Sequence, residues 1–222
     1  MRPPAPGVFE GAANTVAVLV LVIQFGMLRA SLLRAQIRLY AVQSLVVSAL
    51  AAIVAAVQGV PELYVLAGLS FALKVIIVPW VVLRLMRRSN AEIAGSGRLG
   101  VASEVLLAIA LAAFGFFATG ALRIHSTSLP TTALAVSVAI VLVSFLLMVV
   151  RNDVVSQAIG FFSLENGVSL ASLVVAAGLP LILEVAFLFD LLVAVVVFGV
   201  LMRVHHDQRS SLSTSDLTDL RG

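Results

Sequence analysis

The chain alternates apolar runs of roughly 20 residues with short polar connectors, and a run of that length is what an α-helix needs to cross ~30 Å of hydrocarbon. Seven such runs fit the sequence, at 10–28, 36–58, 62–84, 101–121, 131–150, 154–177 and 181–202. Of the 222 residues 61% are hydrophobic and 11% charged, where a soluble domain carries about 25% charged residues. The expected fold is therefore all-α: a polytopic membrane protein of seven transmembrane helices.

Punctuation supports these limits. Pro61, Pro130 and Pro180 stand at span starts, where a missing N–H costs least, and Gly59, Gly120 and Gly178 close the spans before them. Pro79 lies inside the third span and predicts a kink there, with the carbonyl near Val75 left unpaired. Orientation follows from the Lys and Arg bias toward cytoplasmic loops. With the N-terminus outside, eleven arginines from Arg29 to Arg221 fall on the cytoplasmic side, while Arg2 and Arg123 stay outside. The expected topology is N-out and C-in, and positive residues that follow the first apolar run argue against a cleaved signal peptide. The segment 87–100 reads as a flexible connector and 204–222 as a polar cytoplasmic tail.

Cysteine is absent, so the chain has no disulfide, no thiolate nucleophile and no ligand set for an iron–sulfur cluster. No cofactor, metal or redox centre of its own is expected. The pI of about 10.2 reflects basic residues spread through short loops, which set topology rather than bind nucleic acid.

Three ionisable residues lie deep inside spans. Counted from Asp153, Arg203 and Arg84 at ~1.5 Å per residue, Glu165, Asp190 and Lys74 sit roughly 18, 20 and 15 Å deep, all near the bilayer midplane. An unpaired charge there costs at least about 2.5–3.5 kcal/mol, so three at one depth point to a shared purpose. Gln157, Glu165, Ser169 and Ser172 share one helix face by spacing, with Ser163 and Asn166 beside it. Glu165 is thus expected to face the protein interior. Low dielectric disfavours its charge and a nearby lysine restores it, so a carboxylate paired with Lys74 is poised to exchange a proton. The alternative is a buried carboxyl satisfied by helix contacts alone. Asp190 has few polar neighbours on its own span, and Glu184 lies about 9 Å higher, toward the positive end of that helix.

Glu10, Glu62 and Glu104 stand in helix first turns and read as caps. His205 and His206 lack a third metal ligand. Gln43 and Ser44 extend a polar interior or join helices. Lys74 does not suit a retinal-binding lysine, which belongs in the last of seven spans.

The pieces YAVQSLVV (40–47), ALKVIIVPW (72–80), RNDVVSQAIGFFSLENG (151–167), EVAFLFD (184–190) and LTDLRG (217–222) resemble the membrane component E of hydrogenase-4 and formate hydrogenlyase complexes, from the second span onward. The last three spans are also similar to the K subunit of complex I and the C subunit of multi-subunit cation/proton antiporters. Arg151-Asn152 matches their loop pair, Glu165 their first buried glutamate and Asp190 their second. Here the second acid is aspartate and the interval from loop to Glu165 is longer by about one helical turn. The resemblance divides the chain into a four-helix part (1–130), a three-helix K-subunit-like part (131–203) and the tail (204–222).

What the resemblance implies is a non-catalytic membrane-arm subunit of a complex-I-like group 4 hydrogenase or related redox complex in a bacterial or archaeal cytoplasmic membrane. Its partners would be antiporter-like membrane subunits and a membrane anchor carrying hydrogenase-like hydrophilic subunits. Glu165, Asp190 and Lys74 would form a proton or cation pathway, supported by Asn166, Gln157, Ser169 and Glu184. The competing expectations are a scaffold joining larger subunits and a free-standing transporter of a small solute.

Overall fold

The computed structural model describes residues 6–89, 99–121, 131–175 and 196–200. Its elements are α1 (Pro6–Arg29), α2 (Leu33–Gln58), α3 (Pro61–Ser70), a π-helical run (Phe71–Ile77), α4 (Val78–Ser89), α5 (Val101–Ala121), α6 (Thr131–Val150) and α7 (Val154–Val175). Five helices among the described residues are long and apolar enough to cross a bilayer: Leu33–Gln58, Pro61–Met86, Val101–Gly120, Thr132–Val150 and Val154–Val175. In α1 the apolar stretch is shorter, Ala13–Arg29. The chain is an all-helical, multi-pass membrane protein. Of the predicted seventh span, only 196–200 falls among the described residues.

Local chemistry fixes the boundaries. Gly59 closes α2 with a left-handed φ of 68° and donates its N–H to the Ala55 carbonyl, and Pro61 then opens α3 at its first position. Asp153 caps α7, accepting the Ser156 N–H at 2.7 Å. Pro79 does not produce the expected plain kink. Instead α3 and α4 join through the π-helical run, and Val78 donates its N–H to the Leu73 carbonyl, five residues back. The wider turn absorbs the proline's missing donor by changing register just ahead of it.

In the bundle α6 packs against α7, α5 and α1, while α2 packs against α1, α7 and the α3 rod. α1, α2, α6 and α7 thus form the inner layer. α5 and the α3–α4 rod lie outside it, and Leu106, Ile109, Phe114, Phe117, Tyr64, Val65 and Trp80 are exposed on them. These outward apolar faces suit acyl chains. Phe198 stacks on Phe161 and Phe162 at centroid distances of 6.1 and 6.0 Å, which seats the end of the chain against α7.

Two glycines set how closely α6 and α7 approach. A Cβ on Gly160 would stand 2.7 Å from Met148 Cγ, and one on Gly167 would stand 2.9 Å from Val141 Cγ2. Seven residues apart, they share a helix face and admit the α6 backbone, the small-residue packing that membrane helices use when water cannot drive association. Gly160→Leu and Gly167→Leu should each destabilise the protein in detergent by about 1–3 kcal/mol through overpacking. Gly68→Ala, whose Cβ would meet nothing within 4 Å, should leave the thermal unfolding midpoint unchanged or slightly raised.

Candidate functional site

Lys74 lies within the π-helical run, and its side chain is only 2% exposed. Its ammonium stands 3.5 Å from Glu165 Oε2 and donates to Ser169 Oγ at 3.2 Å. Glu165 and Ser169 are one turn apart on α7, so a single helix face presents both groups to the lysine. The Glu165 side chain is 9% exposed. In a low dielectric each charge is tolerable only because of the other, so losing the proton from Lys74 or adding one to Glu165 alters the stability of both. The pair is chemically equipped to change protonation as a unit.

A neutral hydrogen-bonded cluster adjoins this pair. Gln43 of α2 donates to Gln24 Oε1 of α1 at 2.9 Å and accepts from Ser163 and Asn166 of α7 at 2.8 and 3.1 Å. Asn166 also donates to Ser44 Oγ at 2.8 Å, and Gln24 donates to Ser144 Oγ of α6 at 3.1 Å. Ser163 and Gln24 are bonded as well. All six residues are fully buried. Four helices are therefore tied together by side chains that have no alternative partner in hydrocarbon.

A second charged station stands at the other end of α7. Arg151, in the α6–α7 connection, lies 3.4 Å from Glu104 Oε1 and donates to the Leu28 carbonyl in the last turn of α1. Both charged side chains are buried. A guanidinium suits a helix C-terminus, whose last carbonyls lack intrahelical donors. Beside it Gln36 accepts from Ser156 Oγ at 2.7 Å and donates to the Ala30 carbonyl at 3.1 Å, fastening α2 to α7 and to the end of α1.

The structure brings together Lys74, Glu165 and Ser169 as the sequence predicts, and places Asn166 one residue along, on the neutral cluster. Gln157 is elsewhere: it donates to the Arg151 carbonyl at 2.9 Å, at the start of α7. Asp190 and Glu184 lie outside the described residues, as do His205 and His206. Gln43 and Ser44 extend the polar interior. Glu104 occupies the first turn of α5 as expected and is in addition ion-paired. Gln24 and Ser144 escaped the sequence reading; the available signal was an amide and a hydroxyl isolated in otherwise apolar spans. Among the described residues no group of three or more His, Asp or Glu could hold a metal ion.

Over 173 residues, 76% of this chain and 77% of the relative, the sequence is 31% identical to an uncharacterised protein of Mycobacterium tuberculosis. Over 209 residues, 94% of this chain and 97% of the relative, it is 25% identical to hydrogenase-4 component E of Escherichia coli K12, and equally to that of Shigella flexneri. The chain belongs to the hydrogenase-4 component E family. No family model and no solved structure matches it. The component E alignment leaves less than one span outside, so the likeness extends further than the second-span start inferred from the motifs.

The Arg151–Glu104 station yields a stability test. Removing one member of a buried pair leaves the other uncompensated, so Arg151→Leu should cost about 3–5 kcal/mol. Adding Glu104→Leu should recover part of that loss. Chemical denaturation in detergent, comparing the single and double variants, measures the coupling.

Proposed function

We propose that this chain is a membrane-arm subunit of a complex-I-like group 4 hydrogenase or related redox complex, and that it contributes a proton or cation pathway through the bilayer. The observation that carries the proposal is the buried Lys74–Glu165 pair, an ionisable couple on two separate helices inside a multi-pass bundle. A charge at such depth is costly enough that a pathway role outweighs incidental placement. Full-length likeness to proteins named hydrogenase-4 component E supports membership of a multi-subunit hydrogenase complex. In this proposal Glu165 and Asp190 carry the ion, Lys74 adjusts their charge, and Asn166 and Ser169 organise water beside them. Gln157 and Glu184 extend the polar path toward the two membrane faces.

Seven spans, N-out and C-in, in a bacterial or archaeal cytoplasmic membrane complete the proposal. The partners are antiporter-like membrane subunits on one side and, on the other, an anchor bearing hydrogenase-like hydrophilic subunits. Redox chemistry belongs to those partners, in keeping with a chain that has no cysteine.

A scaffold role is the second reading, favoured by the apolar face of α5, where Leu106, Ile109, Phe114 and Phe117 are exposed to whatever lies alongside. One experiment separates the two. In the assembled complex, Glu165→Gln should reduce coupled proton movement into vesicles at least tenfold while the subunits still copurify. Wild-type proton movement by the variant would overturn the pathway role, and loss of copurification would favour the scaffold.

A further inference from the structure

Next to Lys74, α2, α3 and α7 enclose a cavity of about 40 Å³. Its polar wall comprises Ser48, Ser70, Lys74, Ser169 and Ser172. On both α2 and α7 the serines follow the neutral cluster in register. Ser48 comes after Gln43 and Ser44, and Ser169 and Ser172 come after Ser163 and Asn166. The cavity therefore lies on the opposite side of the Lys74–Glu165 level from that cluster. It points toward the membrane face where α2 ends and α3 begins.

The two sides differ in what they can hold. In the cluster, amides and hydroxyls satisfy one another at 2.8–3.1 Å, and a side-chain amide is a poor proton relay. In the cavity, Ser48 donates to Ser70 at 3.3 Å and Lys74 donates to Ser169. A hydroxyl has one donor and two acceptor positions, more than these contacts occupy. A water needs roughly 10–15 Å³ of such space and two to four polar partners, and an apolar hole of the same size would stay dry. Both conditions are met here. The ammonium at the inner end disfavours an alkali cation and is compatible with water.

We propose that this serine-lined cavity is a water-filled vestibule giving the Lys74–Glu165 pair access to one membrane face only, the face at the α2–α3 turn. The vestibule deepens the proposed pathway role by assigning the side from which the pair is hydrated, and protons rather than metal cations as what it delivers.

Because the chain contains no cysteine, a single introduced thiol reports its own surroundings. Ser48→Cys, Ser70→Cys and Ser163→Cys are compared in the otherwise native complex, in sealed vesicles of both orientations, with a membrane-impermeant methanethiosulfonate. Val60→Cys marks the α2–α3 face, and labelling after denaturation confirms that each thiol is present and intact. The expected result is that Ser48→Cys and Ser70→Cys react at least tenfold faster than Ser163→Cys, and only from the side that labels Val60→Cys. Equal rates for the three, or faster reaction from the opposite side, would overturn the vestibule. Labelling is read without turnover, so it fails or succeeds independently of proton movement in Glu165→Gln.

Discussion

Hydrocarbon offers a polar side chain no hydrogen-bond partner, and the interior of this protein is arranged around that fact. Every amide or hydroxyl of the Gln24, Gln43, Ser44, Ser144, Ser163 and Asn166 cluster is answered from a different helix or a neighbouring turn. The close approach of α6 and α7 at Gly160 and Gly167 is part of the same solution. Without it, Ser144 would not come within 3.3 Å of Ser163. Apolar packing sets the distances, and polar pairing then selects one arrangement among the many that packing alone would allow.

The two charged stations divide different labours along α7. Arg151 binds the end of α1, the start of α5 and the α6–α7 connection into one knot. Glu165 lies fourteen residues further, roughly 21 Å along the helix at 1.5 Å per residue. The knot fixes where α7 begins, and the neutral cluster fixes how it is rotated. Between them they settle where Glu165 meets Lys74.

Much of this was legible in the sequence because ionisable residues in apolar spans are costly and therefore conspicuous. Lys74 and Glu165 stood out by depth alone, and the helical spacing of Glu165 and Ser169 correctly gave the face they share. The limits 101–121 and 131–150 match α5 and α6 to the residue. Neutral polar residues carry no such signal, and Gln24 and Ser144 became meaningful only when α1 and α6 were seen to converge on Gln43 and Ser163. Gln157 shows the weakness of face counting. Eight residues along a helix return to nearly the same azimuth but lie about 12 Å apart, and the nearer backbone carbonyl of Arg151 claimed its amide. Likewise Glu104 looked like a simple cap because its partner lies 47 residues away, across two helix connections.

The π-helical run ahead of Pro79 carries one surplus residue in its turn, and Lys74 stands in the middle of it. A surplus of this kind can slide along a helix without disturbing either end. Each step past a residue turns that residue by roughly 100°, the angular interval of an α-helix. Lys74 thus sits on a built-in swivel: displacing the bulge by a few positions would swing the ammonium away from Glu165 while Pro61 and Trp80 kept their places, an all-or-none movement that a rigid α-helical rod cannot make.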